Sequence, residues 1–128
     1  MKWRICGNSL RLRLSRSEVA RFGEVGCVED AVEFGTEPGR RLVCTLQSST
    51  DFHSVAAQYS NNRITVQVPT QLAKQWVETD QVGFNGEQAL GPDRTLRLLI
   101  EKDFACLDAR EGDTDDDAFP NPLQEQKC

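Results

Sequence analysis

Apolar and polar side chains alternate in short runs over most of the chain, with turn-forming residues between the runs. Trp3 and Ile5 alternate with Lys2 and Arg4, Gly7-Asn8 follows, and Leu10, Leu12 and Leu14 then alternate with Arg11 and Arg13. Alternation with period two on both sides of a two-residue Gly-Asn break predicts a β-hairpin. Glycine at the first central position suits a type II′ turn. Folding about that turn sets Ile5 opposite Leu10 and Trp3 opposite Leu12 on one face, with Arg4 opposite Arg11 and Lys2 opposite Arg13 on the other. A second hairpin is predicted around Asn61-Asn62, since asparagine tolerates the positive φ that such a turn needs. It pairs Tyr59 with Ile64, Ala57 with Val66 and Val55 with Val68 on the inward face, and puts Gln58, Thr65, Ala56 and Gln67 outside.

The two turns lie 54 residues apart, and the segments after them are alike. Ser15-Arg-Ser-Glu18 is a capping-box start leading to Val19 and Phe22, and Pro69-Thr70 opens a stretch with Leu72, Ala73, Trp76 and Val77 on one side. Both predict short helices. Two strands follow each helix: Val28–Phe34 and Arg41–Gln47 in the first copy, Gln81–Glu87 and Thr95–Glu101 in the second. Leu42, Cys44 and Leu46 match Leu96, Leu98 and Ile100 at the same offset. A unit this short cannot bury its apolar face alone, so the two copies are expected to pack together. The fold class is α+β, mostly antiparallel β, with two tandem pseudo-repeats of hairpin, helix and two strands forming a barrel or a two-layer sheet. The expected boundaries are a globular domain over 1–108, with repeats at about 1–53 and 54–107, and an acidic, proline-containing tail over 109–128 in which Phe119 and Leu123 are candidate anchors.

At 128 residues the chain is the size of one domain. No apolar run approaches the roughly 20 residues that span a bilayer, and the first residues alternate charge with apolar side chains in place of a signal-peptide core. Five scattered cysteines without a CxxC pair fit reduced thiols better than a disulfide framework or a zinc knuckle. The expectation is a cytoplasmic protein with no cofactor and no metal.

Net charge is −5, which argues against coating nucleic acid, but the charge is graded. Met1 to Arg21 carries six basic residues against Glu18 alone, and Glu101 to Asp117 carries eight acidic ones against Lys102 and Arg110. Lys2, Arg4, Arg11 and Arg13 face one another across the first hairpin, and like charges in that arrangement cost stability unless an anion neutralises them. These four are the candidate anion-binding residues. Strand acids such as Glu29 and Glu33, the acidic tail of the same molecule, an acidic protein or an anionic ligand could each serve. Base-specific readout of nucleic acid would need more than this stripe.

Other constellations are weaker. Asp113, Asp115 and Asp117 match the first ligand positions of a calcium loop, but Ala118 replaces the glycine at position 6 and Gln124 the glutamate at position 12. His53 lies in a polar run and Cys44 at an inward strand position, so a cysteine–histidine pair is not expected; Cys106 reads as core and Cys128 as exposed. Glu87 and Glu101 could meet on neighbouring strands. Phosphate-loop, dinucleotide, serine-hydrolase and zincin motifs are all missing.

The runs RICGNSLRLRLSRSEVARFGEVG, ITVQVPTQLAKQWVETDQVGF and LIEKDFACLDAR, with DAFPNP beyond, resemble a family of short uncharacterised bacterial proteins that open with this basic hairpin. The resemblance implies a shared fold and brings no activity or site residue. Ile64 to Phe84 is also similar in outline to halves of swapped-hairpin transcription factors. The reading that results is a non-enzymatic binding or interaction module with an anion-accepting hairpin face. The alternative is a small enzyme or ligand-binding barrel with a pocket between the repeats. Homodimerisation through an open strand edge is left open.

Overall fold

The computed structural model describes residues 1–104. The first hairpin is β1 (Lys2–Cys6) and β2 (Ser9–Leu14), followed by α1 (Arg16–Val25), β3 (Cys27–Glu33) and β4 (Arg41–Ser49). The second hairpin is β5 (Ala56–Ser60) and β6 (Arg63–Pro69), followed by α2 (Thr70–Glu78), β7 (Gly83–Ala89) and β8 (Thr95–Lys102). The turns behave as their residues dictate: Gly7 takes φ 56° in the first, and Asn61 and Asn62 take φ 52° and 61° in the second. Both hairpins have the expected registers, with Trp3 opposite Leu12, Arg4 opposite Arg11 and Gln58 opposite Thr65.

The strands form two four-stranded sheets, β1-β2-β8-β7 and β3-β4-β6-β5, each built from one hairpin of either half of the chain. Each helix carries the chain from one sheet to the other. Antiparallel pairs dominate, and the join inside each sheet is parallel: Leu10 pairs with Leu98 in one, Ile64 with Cys44 in the other. Leu10 and Ile64 are 54 positions apart, as are Cys44 and Leu98. The backbone hydrogen bonds from Arg97 to Asn8 (3.1 Å) and from Val43 to Asn62 (3.0 Å) keep the same spacing.

The sheets do not close into a barrel. Where β5 and β7 approach, the Gln88 side chain takes the place of a strand ladder: Ala57 N–H donates to Gln88 Oε1 at 2.7 Å, and Gln88 Nε2 donates to the Ala57 carbonyl at 3.1 Å. This amide satisfies one backbone pair on the β5 edge and so blunts that edge against further pairing.

Between the sheets lie Leu10, Leu12, Leu14, Leu98 and Ile100 from one side and Cys44, Leu46, Val66 and Val68 from the other. The helices seal one end with Val19, Phe22, Ala73 and Trp76. Gly23 of α1 meets Val77 of α2, and a Cβ on Gly23 would lie 2.7 Å from Val77 Cγ1, so the helices touch where one residue has no side chain.

Helix α1 starts at the anticipated capping box. Glu18 N–H donates to Ser15 Oγ at 3.3 Å and Ser15 N–H to Glu18 Oε1 at 2.8 Å. The Met1 ammonium also bonds Glu18, and its Asp30 contact is 3.4 Å. Burial works against charge on Glu18, but its bonds to the ammonium and to Ser15 prevail and hold its pKa below the ordinary 4.5. A depressed carboxylate pKa contributes stability above the unfolded value and loses it as pH falls through the folded one. Glu18→Gln should therefore cost about 0.5–1 kcal/mol near neutrality. The difference from wild type in urea unfolding should shrink steadily once the pH drops below 4.5.

The second half of the chain departs from expectation at β7, which begins two residues later than the pattern implies. Thr79 Oγ1 donates to the Gln75 carbonyl (2.6 Å) and receives the Gln81 N–H (3.2 Å), which holds the chain in a turn through Gln81.

Candidate functional site

Parity along the strands assigns the outer face of the β1-β2-β8-β7 sheet. Leu10, Leu12, Leu98 and Ile100 point inward, so Lys2, Arg4, Arg11, Arg13, Arg97 and Glu101 share the opposite side. Lys2 and Arg4 are exposed, whereas the Arg11 and Arg13 side chains keep 23% and 17% of their surface. Glu101 lies opposite Arg13 in the parallel register and accepts from Arg11 Nε at 2.7 Å and Arg13 Nε at 3.3 Å, both on Oε1. Lys2 Nζ reaches Asp103 Oδ2 at 2.8 Å. Neither Glu29 nor Glu33 pairs with this face: Glu29 belongs to the other sheet and pairs with Arg63 at 3.2 Å. The structure thus brings the four sequence candidates together and adds Arg97, which lies beside Ser9 on β2 and opposite Glu87 on β7.

A groove of about 370 Å³ opens on this face, lined by Arg4, Arg11, Asn85, Glu87, Arg97 and Leu99 among others. Three guanidinium groups line it. Arginine presents a planar fork that matches carboxylate or phosphate oxygens two at a time.

The matching positions of the other sheet carry none of this charge. Ala56 opposes Gln67 where Lys2 opposes Arg13, Gln58 opposes Thr65 where Arg4 opposes Arg11, and Val43 stands where Arg97 stands. The same strand arrangement therefore folds with neutral residues at all five places.

A second groove of about 370 Å³ lies between the two halves, lined by Ile5, Leu10, Tyr59, Ile64, Leu90 and Leu96 among others. Among the described residues its lining contains no carboxylate, histidine or cation. Ile5 and Tyr59 stand 65% and 67% exposed at its mouth.

The remaining candidates separate. Glu101 is opposite Gly83 and Glu87 opposite Arg97, so the register sets the two glutamates four positions apart along β7 and they form no carboxylate pair. His53 is in an exposed loop. Cys44 is buried, and burial, with Asp30 adding to it, pushes its thiol up to about 12, which keeps it from acting as a thiolate. Among the described residues no group of His, Cys, Asp and Glu could hold a metal, and no helix is long and apolar enough to cross a membrane. Asp113, Asp115 and Asp117, Cys106, Cys128, Phe119 and Leu123 lie outside the described residues.

The model of a family of unknown function, DUF7009, matches residues 1–123. The chain belongs to this family. The match takes in the whole basic hairpin and both halves, so the matched region contains both sheets and the charged face between β1 and β7. No curated protein and no solved structure matches the chain.

Proposed function

We propose that this protein is a non-enzymatic binding module of the cytoplasm that receives an acidic polypeptide on the outer face of the β1-β2-β8-β7 sheet. One observation carries the reading: five cations converge on one sheet at positions where the other sheet, of the same architecture, holds Ala56, Gln58, Thr65, Gln67 and Val43. Cross-strand like-charge pairs such as Lys2–Arg13 and Arg4–Arg11 each oppose folding by a few tenths of a kcal/mol. Glu101 and Asp103 offset part of this. A polypeptide carboxylate fits better than a nucleic acid. The aromatics on the strands of this sheet, Trp3 and Phe84, both sit on the inward-facing side, so among the described strand residues the basic face has no platform for stacking bases. Neither groove places a histidine beside a nucleophile, which favours binding over catalysis. The recurrence at 54 residues supports two tandem units, 1–53 and 54–107, of which one sheet face has been specialised.

The test uses the neutral sheet as its template. The triple substitution Arg4→Gln, Arg11→Thr, Arg13→Gln installs residues that the same fold already carries. Wild type should bind a fluorescent polyglutamate peptide at low salt and weaken steeply between 50 and 300 mM salt, roughly as expected for charges screened over about 10 Å. The triple variant should bind at least about tenfold more weakly while staying folded, with a lower unfolding temperature because Glu101 loses both of its partners. Equal binding by both proteins, or preference for single- or double-stranded DNA over the peptide, would remove the reading.

A further inference from the structure

We infer that the acidic partner binds as an added strand on the open edge of β1, its backbone pairing with Trp3 and Ile5 while alternate carboxylates meet Lys2 and Arg4. The inference rests on the proposed function and supplies the mode of binding at that face. Its first support is a difference between the two hairpins. Ala57 donates its N–H to the Gln88 side chain and accepts from the same amide on its carbonyl, so both of its backbone groups point away from β6. Trp3 holds the same place in the first hairpin: each residue is three positions before the end of the strand that enters a two-residue turn, and the two are 54 apart. Backbone orientation alternates along an antiparallel pair, so the N–H and carbonyl of Trp3, and of Ile5 two residues on, point away from β2. β1 is the outermost strand of its sheet. Phe34 stands 54 positions before Gln88; its ring has neither donor nor acceptor, and it is exposed. Among the described residues nothing pairs with the outward backbone groups of Trp3 and Ile5. The edge that Gln88 blunts on β5 is therefore open on β1.

The second support is what this edge presents on its two sides. Lys2 and Arg4 lie on the basic face, and the exposed Ile5 lies on the other. An extended segment in which carboxylates alternate with apolar side chains matches both at once, because its side chains alternate with the same period. In such an added strand the main-chain hydrogen bonds supply affinity and the alternate side chains supply selectivity. The β1 edge of a second copy is a poorer occupant, since pairing two basic faces sets Lys2 and Arg4 beside the same cations.

The experiment uses the full chain and a fluorescent peptide of alternating glutamate and valine, in three forms: unmodified, N-methylated at every valine, and N-methylated at every glutamate. An added strand turns only alternate N–H groups toward its neighbour, and the direction of pairing decides which set. One methylated form should therefore bind at least about tenfold more weakly than the unmodified peptide, and the other within about twofold of it. On the protein, Ile5→Pro removes an outward N–H and no bond to β2, and should weaken the unmodified peptide about fivefold. Tyr59→Pro, at the matching place on β5, should leave its binding unchanged. Equal binding by the two methylated forms, with binding still lost in the Arg4→Gln, Arg11→Thr, Arg13→Gln variant, overturns the inference and leaves the proposed function standing. No binding by any of the peptides at low salt overturns both. A dimer seen by light scattering that Ile5→Pro dissociates gives the edge to a second copy and overturns the inference.

Discussion

Trp76→Ala should be the most damaging single truncation in the domain, costing about 3–5 kcal/mol, the usual range for a fully buried large aromatic. Trp76 is wholly buried where the two helices meet the sheets. Its ring makes edge contacts with Phe22 at 6.0 Å between centroids and with Phe84 at 5.3 Å, and its Nε1 donates to the Val82 carbonyl at 3.1 Å. Phe22 is on α1 and Phe84 on β7, so one side chain ties the sealing helices to the sheet that carries the basic face. For a domain of this size the loss corresponds to a fall in Tm of roughly 15 °C or more. Trp76→Phe separates the contributions. It keeps a ring between Phe22 and Phe84 and gives up the indole hydrogen bond with part of the volume, so it should cost about 1–2 kcal/mol. Thermal and urea unfolding followed by circular dichroism would measure both, and near-equal stabilities for Trp76→Ala and wild type would mean that the tryptophan is not the keystone of the helix end.

How much of this was legible in the sequence depends on how local each signal is. The hairpin registers could be read because alternation and a two-residue turn fix them together: once Gly7-Asn8 is the turn, Trp3 can only face Leu12 and Arg4 can only face Arg11. Helix α1 could be read from Ser15 and Glu18, whose reciprocal bonds are made within one turn. The joins between hairpins could not. Leu10 finds Leu98 and Cys44 finds Ile64 across separations that leave no periodic trace, and only these joins decide that the hairpins exchange between sheets and that no barrel closes. The site divides along the same line. Lys2, Arg4, Arg11 and Arg13 belong to one hairpin, whose register sets them on one face, whereas Arg97 and the partners Glu101 and Asp103 come from further along the chain. The signal that could have found Arg97 lies in the 54-residue spacing of the two parallel joins, since Arg97 is 54 positions from Val43 and differs from it in charge.

Gly86→Ala should destabilise the domain by about 2–3 kcal/mol, although it adds one methyl group to a strand, where alanine ordinarily outperforms glycine. Gly86 is opposite Leu98 on the inward side of β7, and a Cβ there would lie 2.8 Å from Val55 Cβ and 3.1 Å from the Val55 carbonyl oxygen. Val55 is buried in the link that leads into β5, so the closest obstacles are a backbone atom and the first atom of a side chain that cannot rotate away. The clash therefore resists rescue. Val55→Ala removes only the γ carbons, the nearest of them at 3.4 Å, and leaves both closer contacts in place, so the double variant should be no more stable than Gly86→Ala alone. The helix contact at Gly23 supplies the contrast, because its obstacle is Val77 Cγ1 at 2.7 Å with the Cβ a full 3.7 Å away. There Val77→Ala deletes the obstructing atom, and the Gly23→Ala, Val77→Ala pair should recover about 1 kcal/mol relative to the sum of the single changes. Two double-mutant cycles by urea unfolding give the comparison. Coupling at Gly23–Val77 with none at Gly86–Val55 is what two different kinds of close approach require: one between side chains that can be trimmed, the other between a strand and the backbone of the link that seats the second hairpin.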